Sequence, residues 1–123
     1  MSTIPGKPKP LFLPPAGVRL KDATVNIADV DLALQAFLTV AGLVHLHLFD
    51  EMLTVTSGRD GAHSPGSKHA AGCAVDLRMS DVSLADQPVF ILCLRVLCAR
   101  FKLALFDESN VPGAGHVHVE VAG

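Results

Sequence analysis

The chain has 123 residues, of which 50% are hydrophobic and 18% are charged, so it is long enough for one domain with its own core. The 10 Lys and Arg residues against 12 Asp and Glu residues give a net charge of -2, without any run of basic residues. Nucleic acid and anionic membrane surfaces are therefore not expected as partners, because both are recognised mainly through clustered cations.

Residues 1–17 are rich in proline, which excludes both helix interiors and central strands, so we expect an extended segment there and a folded domain over 18–123. The segment lacks the apolar core of ~7–15 residues that a secretory signal needs. Elsewhere, no stretch approaches the ~18 apolar residues of a membrane span. The sequence thus predicts a protein that is cytoplasmic as synthesised, with no signal peptide.

Hydrophobic periodicity predicts two helices. The first covers about 28–48, with Asn26 or Asp29 as its N-cap. The second runs from about residue 83 or 86 to residue 100, because its apolar residues return on one face at helical spacing. Both helices are expected to pack on a sheet.

Short apolar and β-branched runs predict four strands, separated by turns and by a long Gly-containing loop over 58–72. Asp107 to Gly115 is predicted as a turn or hairpin loop. The strands are 52–57, 73–79, 102–106 and 116–121. This order of elements predicts an α+β domain, in which two helices pack on a small, mainly antiparallel sheet.

The three cysteines, Cys73, Cys93 and Cys98, form no CxxC pair. Cys93 and Cys98 are five residues apart on a predicted helix, where their side chains diverge by ~140° around the axis. We therefore expect free thiols rather than structural bridges.

Four of the six histidines lie in two places: His63 and His69 in the long loop, and His116 and His118 in the last strand. Because side chains alternate along a strand, His116, His118 and Glu120 share one face. Two histidines on one strand face can simply be exposed imidazoles, or they can belong to a metal site.

Asp76 follows His69 by seven residues and lies on a predicted strand. If that strand neighbours the strand of His118, a loop histidine completes a tripod of two histidines and one carboxylate, with the fourth position open for water, as catalytic zinc requires. His45 and His47 differ: they lie two residues apart on the first helix, point to different faces and are interpreted as structural.

The stretch SGRDGAHSPGSKHAAGCAVDL, followed by GHVHVEV, resembles the zinc D,D-peptidase group. This group contains D-Ala-D-Ala carboxypeptidases and phage L-alanyl-D-glutamate endopeptidases, and within it the chain is most similar to bacterial hedgehog-like domains. The likeness covers roughly residues 28–121. The SxHxxGxAxD box of the group is matched by Ser67, His69, Gly72, Ala74 and Asp76.

The resemblance implies a hedgehog/D,D-peptidase-like fold and one zinc ion, with His69, Asp76 and His118 as its ligands. It also implies that His63 and His116 line the zinc cleft, where either could donate a hydrogen bond to the oxyanion. The HxH pattern alone does not show whether His116 or His118 binds the metal, and only the resemblance favours His118.

Further roles follow from the same resemblance. Arg59 corresponds to an arginine that binds a substrate carboxylate, and Ser67 of the box is assigned to substrate binding. Glu108 corresponds to a glutamate beside the zinc and is the candidate general base, although the stretch VPGA lengthens the path to the histidines. Asp107 and Glu120 remain alternatives for the base. Glu120 is otherwise interpreted as an acceptor for the imidazole of a metal ligand or, in preference, as a strand-end charge.

The sequence departs from the pattern at two points. Many members carry Asp or Glu three residues before the last ligand, where this chain has Gly115. Hedgehog domains also bind calcium through an acidic cluster, for which this chain offers Asp60, with Asp50 and Glu51 nearby in sequence. We therefore do not expect a two-calcium site, and one weak calcium site stays open.

Together these residues predict a zinc peptidase that acts on the stem or cross-link of peptidoglycan, as a monomer. The route to the cell wall would then be lysis or a virion, which fits a phage or prophage setting. The alternative is a non-catalytic zinc-containing module that binds cell-wall peptide or a protein partner.

Overall fold

The structure is a computed structural model that describes residues 13–59, 68–69, 71–109 and 115–122. Residues 1–12 of the predicted proline-rich segment lie outside the described residues, as do residues 60–67 of the predicted loop. The described elements are β1 Val18–Leu20, α1 Leu32–Phe49, β2 Leu53–Ser57, β3 Ala74–Arg78, α2 Gln87–Phe101, β4 Leu103–Glu108 and β5 His116–Val121.

The sheet is mixed and five-stranded, with the strand order β1-β2-β3-β5-β4. Strands β1 and β2 pair in parallel, and the three other pairings are antiparallel. The predicted class, a small α+β domain with two helices and a mostly antiparallel sheet, is confirmed at this level. The sequence pattern does not predict β1, because its three residues are too few to establish an alternation.

The end of β4 corrects the sequence prediction. The turn was expected to begin at Asp107, but Asp107 and Glu108 both belong to β4, where they pair with Val117 and His116 of β5. Acidic residues are poor strand formers by propensity, yet pairing with a neighbouring strand overrides that preference here. The extension places Glu108 on a rigid strand beside His116.

Helix α1 begins later than predicted, and its N-cap is neither Asn26 nor Asp29 but Asp31, whose carboxylate accepts a hydrogen bond from the Ala33 N–H at 2.8 Å. The two predicted caps instead bond each other in the preceding turn, with 2.8 Å between Asn26 Nδ2 and Asp29 Oδ2. The Asp31 N–H also donates to the Gly72 carbonyl at 2.8 Å. This contact ties the start of α1 to the chain just before β3.

Helix α2 starts at Gln87, after Asp86, which is one of the two predicted starts. Pro88 lies in the first turn, where the missing N–H costs no helical hydrogen bond. The helix ends at Phe101, and Lys102 follows in the left-handed conformation as its C-cap.

Alternation along the strands gives the sheet two different faces. One face packs against both helices and forms the core, which includes Leu34, Phe37, Leu53, Val55, Val75, Leu77, Phe90, Leu94, Val117 and Val119. Their burial drives the fold, at ~1.5–3 kcal/mol for each large side chain. The opposite face carries polar residues at the intervening positions, including Arg19, Thr54, Thr56, Asp76, Arg78, Glu108, His116, His118 and Glu120.

Helix α1 is long and apolar enough to cross a membrane by length and composition, with 18 residues and a mean hydropathy of 1.7. The sequence-based statement that no segment approaches such a span is therefore wrong for this helix. Length and composition do not separate a membrane span from the core helix of a soluble protein, and α1 contributes six buried residues to the core.

The two histidines of α1 face differently, as predicted. His45 is 1% exposed and packs edge-on against Phe49 and Phe90. Its Nδ1 lies 2.6 Å from the Glu51 carbonyl oxygen, so it donates there and ties the end of α1 to the turn that follows. His47 is exposed. Both lie on the helical layer, on the far side of the sheet from the polar face.

We expect three free thiols, of which Cys98 reacts most slowly in the folded protein. All three are free cysteines in the structure, and Cys98 is 3% exposed. Burial raises the pKa of the Cys98 thiol to about 11, so the reactive thiolate is scarce at pH 8 and becomes about tenfold more abundant with each pH unit up to that value.

An alkylation time course read by peptide mass spectrometry checks this expectation. The partly exposed Cys73 and Cys93 should be modified first. In denaturant, all three cysteines should be modified at the same rate. Fewer than three thiols in unfolded, non-reduced protein would contradict the expectation, and so would equal rates in the folded state.

Candidate metal centre

The polar face of the sheet brings β3 and β5 side by side, which was the condition for a metal tripod. In the antiparallel register of these strands, Asp76 lies directly opposite His118 and Arg78 lies opposite His116. The pairing is thus a consequence of topology, because β5 enters the sheet between β3 and β4 rather than at its edge.

His69, Asp76 and His118 converge on this face. His69 Nε2 lies 3.2 Å from Asp76 Oδ2, and His118 Nδ1 lies 2.9 Å from Asp76 Oδ1. One ligand atom from each residue lies within 4.8 Å of the others. A tetrahedral zinc ion with bonds of ~2.0–2.2 Å has ligand atoms ~3.3–3.6 Å apart, which is close to the observed spacing. These residues therefore fit a metal ion in donor type and in separation.

The His69 ring is fixed by a backbone contact on its far side. Its Nδ1 lies 3.1 Å from the carbonyl oxygen of Gly58, just beyond β2, and the residue is 7% exposed. A proton on Nδ1 that is donated to this carbonyl leaves Nε2 to face Asp76. Backbone carbonyls commonly orient metal-binding histidines in this way.

The turn after His69 depends on Gly72, which has a φ of 74°. The Gly72 N–H donates to the His69 carbonyl at 2.9 Å, and a Cβ at this position would lie 2.7 Å from the Asp29 carbonyl oxygen. Only glycine satisfies both the left-handed φ and the close approach without strain.

His118 contacts a carboxylate through each of its ring nitrogens. Nδ1 faces Asp76, and Nε2 lies 2.8 Å from Glu120 Oε1. A proton donated from Nε2 to Glu120 leaves Nδ1 available for a metal, in the arrangement of a carboxylate–histidine–metal triad. Of the two interpretations of Glu120, this contact favours an acceptor for the imidazole of His118 over an ordinary strand-end charge. Its spacing of two residues from His118 was the available signal.

Glu108 and His116 form a second pair beside the tripod. They lie opposite each other on β4 and β5, and His116 Nε2 donates to Glu108 Oε1 at 2.7 Å. The same nitrogen is 3.9 Å from Asp76 Oδ1. Asp76, Glu108 and His116 also offer ligand atoms within 4.8 Å of one another, so Asp76 belongs to both groups.

Charges at the centre are strongly coupled. Burial alone would raise the pKa of Asp76, but hydrogen bonds from His118 and His69 outweigh it and hold this pKa well below its ordinary value. The hydrogen bond to Asp76 raises the pKa of His118 against the effect of burial. Burial lowers the pKa of His69, and its contacts with Asp76 more than compensate. In the metal-free protein, an incoming cation therefore has to displace protons from these imidazoles.

Asp107 is separated from the centre, although it is adjacent in sequence to Glu108. Its carboxylate accepts hydrogen bonds from the backbone and the hydroxyl of Ser109, which lower its pKa. By strand alternation it lies on the helical side of the sheet. These contacts disfavour Asp107 as the base, and they leave Glu108 and Glu120 as the candidates on the face of the tripod.

Of the remaining predicted site residues, the structure describes Arg59. Arg59 lies just beyond β2 with its Cδ near Gly72, is exposed and, among the described residues, makes no ion pair. His63 and Ser67 lie outside the described residues.

The calcium hypothesis involves acidic residues that the structure separates from the tripod. Asp50 and Glu51 precede β2, at the end of that strand opposite to the metal centre. Asp60 lies outside the described residues. Asp50 and Glu51 are therefore near the loop in sequence but lie away from the metal centre, because β2 separates them from it.

No protein-family model matches the chain, and no curated protein matches it significantly. The likeness to the zinc D,D-peptidase group thus stays a prediction that rests on the motif residues themselves.

Changing Glu120 to Gln is expected to weaken zinc binding about 10–100-fold without abolishing it, because the neutral amide lacks the negative charge that supports the His118 ring. Competition against a chromophoric chelator measures the affinity. Glu51→Gln, at an exposed carboxylate distant from the centre, is the control and should leave it unchanged. An unaltered affinity in Glu120→Gln would show that this carboxylate does not support the ligand.

Proposed function

We propose that the chain is a zinc-dependent peptidase that hydrolyses peptide bonds in the stem or cross-link of bacterial peptidoglycan. The observation that carries this proposal is the position of Asp76, which contacts the histidines of the tripod and also adjoins the Glu108–His116 pair. A metal-binding tripod with a carboxylate base next to it is the arrangement that metal-assisted hydrolysis needs.

Each residue of the centre has a part in this reaction. Zinc, when bound by His69, Asp76 and His118, would polarise the scissile carbonyl and lower the pKa of a water molecule. Glu108 takes a proton from the attacking water and passes it to the amine as the C–N bond breaks. The water oxygen ends in the new carboxyl group, so the products are one carboxylic acid and one amine.

His116 is placed to assist Glu108 through their 2.7 Å hydrogen bond. The imidazole orients the carboxylate before proton transfer. Once Glu108 is protonated, the His116 N–H can turn toward the carbonyl oxygen, where negative charge develops. His63 remains a second candidate for this role.

The choice of substrate follows from the resemblance and from charge. Stem peptides of peptidoglycan carry free carboxylates, and Arg59 at the rim offers a guanidinium that can bind one of them bidentately. A protein with a net charge of -2 and a local cationic rim suits such a ligand. We place the enzyme in a phage or prophage setting, acting as a monomer that reaches the wall through lysis or a virion.

One observation favours a second candidate, a non-catalytic module that binds cell-wall peptide or a protein. Gly115 stands where many members of the resembled group have an acid, and no atom of the described residues, its chain neighbours aside, lies within 4 Å of the place where its Cβ would be. The base must then come from β4, across the strand pair. A module of this kind would bind zinc and peptide without turnover.

Incubation of the zinc-loaded protein with synthetic stem peptides separates the two candidates. The peptidase should generate a new amino terminus, detected by mass spectrometry, that is lost with a chelator and restored by zinc. Saturable binding of the peptides with none of them cleaved would contradict the peptidase and favour the module.

A further inference from the structure

The polar face of the sheet continues from the metal centre into a cleft of about 460 Å³. Asp76 and His116 form the wall that the cleft shares with the metal centre. The other described residues of its lining are Lys21, Thr56, Arg78, Ser80 and Gly115. Lys21, Thr56, Arg78 and Ser80 have no part in the reaction proposed above, and two of them are cations.

The two cations are positioned by the sheet itself. Arg78 ends β3, two residues after Asp76 and therefore on the same face, and it is paired with His116 of β5. Lys21 directly follows β1, and its backbone N–H donates to the Val55 carbonyl at 2.9 Å. This hydrogen bond continues the parallel pairing of β1 with β2 and holds Lys21 beside the cleft.

The charged groups of both residues remain open to a ligand. Arg78 Nη1 lies 3.9 Å from Asp81 Oδ1, and Lys21 Nζ lies 4.0 Å from Asp22 Oδ2, which are ion pairs beyond hydrogen-bond distance. Their side chains are 33% and 47% exposed.

Arg19 provides a contrast on the same face, because its Nε and Nη2 donors already make hydrogen bonds. Its guanidinium makes hydrogen bonds of 3.1 and 3.0 Å to the Thr54 hydroxyl and of 3.4 Å to Asp81. Arg19 therefore already engages the carboxylate that Arg78 only approaches. Among the described residues, the Arg78 and Lys21 side chains line the cleft without making any hydrogen bond.

The distance from the metal centre determines what the cleft can bind. Two residues along β3 separate Arg78 from Asp76, which is ~6.6–6.8 Å, or one to two residues of an extended peptide. A planar carboxylate matches the guanidinium fork, and the Ser80 hydroxyl can donate alongside it. An anionic group at this distance would fix the register of a peptide whose reacting carbonyl lies at the tripod.

We propose that Lys21 and Arg78 form a subsite for a free carboxylate of the substrate, one or two residues from the bond at the metal centre. The subsite lies opposite to Arg59 relative to the tripod, since Arg59 adjoins Gly72 before β3 and Arg78 ends that strand. The protein would accordingly select acidic peptides. That the peptide is a peptidoglycan stem rests on the proposed function, whereas selection for a carboxylate rests on the cleft.

Calorimetric titration of the full-length, zinc-loaded protein tests this subsite without requiring turnover. The probes are L-alanyl-γ-D-glutamyl-L-lysine and its amidated counterpart, L-alanyl-D-isoglutaminyl-L-lysinamide. The wild type should bind the acid at least about tenfold more tightly than the amide. The double variant Lys21→Gln/Arg78→Gln should lose this preference, while Arg100→Gln, on the exposed side of α2, should retain it.

The outcomes separate the subsite from the proposed reaction. Equal binding of acid and amide by the wild type, absence of binding, or a preference that survives in the double variant would overturn the subsite. Complete loss of the preference in Arg59→Gln, with the preference intact in the double variant, would overturn it as well. Hydrolysis of stem peptides without a carboxylate preference would support the peptidase and overturn the subsite. A preference that is lost in the double variant, with no hydrolysis by the wild type, would support the subsite and overturn the peptidase.

Discussion

Purified His118→Ala protein is expected to contain almost no zinc, whereas the wild type retains about one ion per chain. His118 is the only one of the three proposed ligands on β5, and its loss leaves two donors, which seldom hold a zinc ion against dialysis. His69→Ala and Asp76→Ala should have the same effect. Atomic emission analysis after dialysis against metal-free buffer measures the content.

Two controls make the result specific. His47→Ala removes an exposed histidine from α1 and should leave the zinc content unchanged. His116→Ala should also retain zinc, because in the proposed tripod its nitrogen faces Glu108 rather than the metal. Circular dichroism of each variant checks the fold, and Asp76→Asn provides a ligand loss of nearly equal volume. Full zinc retention in His118→Ala would show that the tripod is wrong.

Glu108→Gln should lower kcat/KM on a cleaved stem peptide by at least about 100-fold while the zinc content stays at the wild-type level. The amide keeps the shape of the side chain and can still bond His116, but it cannot accept the proton of the attacking water. Steady-state kinetics with metal analysis of the same preparation measure both quantities.

Asp107→Asn is the matched control, because it changes the neighbouring acid, whose carboxylate is bonded to Ser109 on the other side of the strand. We expect its turnover to stay close to that of the wild type. Unchanged turnover in Glu108→Gln would remove this residue from the role of base and transfer it to Glu120 or Asp107.

The parts of the site that could be predicted are those encoded by spacing within one element. Period-two alternation places His116, His118 and Glu120 on one face, and the loop box brings His69 near Asp76 in sequence. The two groups come together only because β3 and β5 are neighbouring strands, and no local sequence pattern predicts that pairing. The hydrogen bond from His69 to the Gly58 carbonyl could not be predicted, because every residue has a backbone carbonyl and the sequence does not show which one accepts.

The errors in the fold also have physical causes. Asn26, Asp29 and Asp31 are all competent N-caps within six residues, and the choice of Asp31 is reinforced by a contact with Gly72 that is distant in sequence. The short strand β1 was missed for lack of length. Without β1, the position of Lys21 could not be predicted from the sequence. The cationic cleft could not be predicted either, because it exists only where β1 pairs with β2.

The most direct test of the central claim is digestion of purified peptidoglycan sacculi by the zinc-loaded protein, with new amino termini counted by dinitrophenyl labelling. We predict that termini accumulate with the wild type, disappear when a chelator is added and are absent with His118→Ala. Sacculi that yield no new termini with fully zinc-loaded wild type would contradict the account.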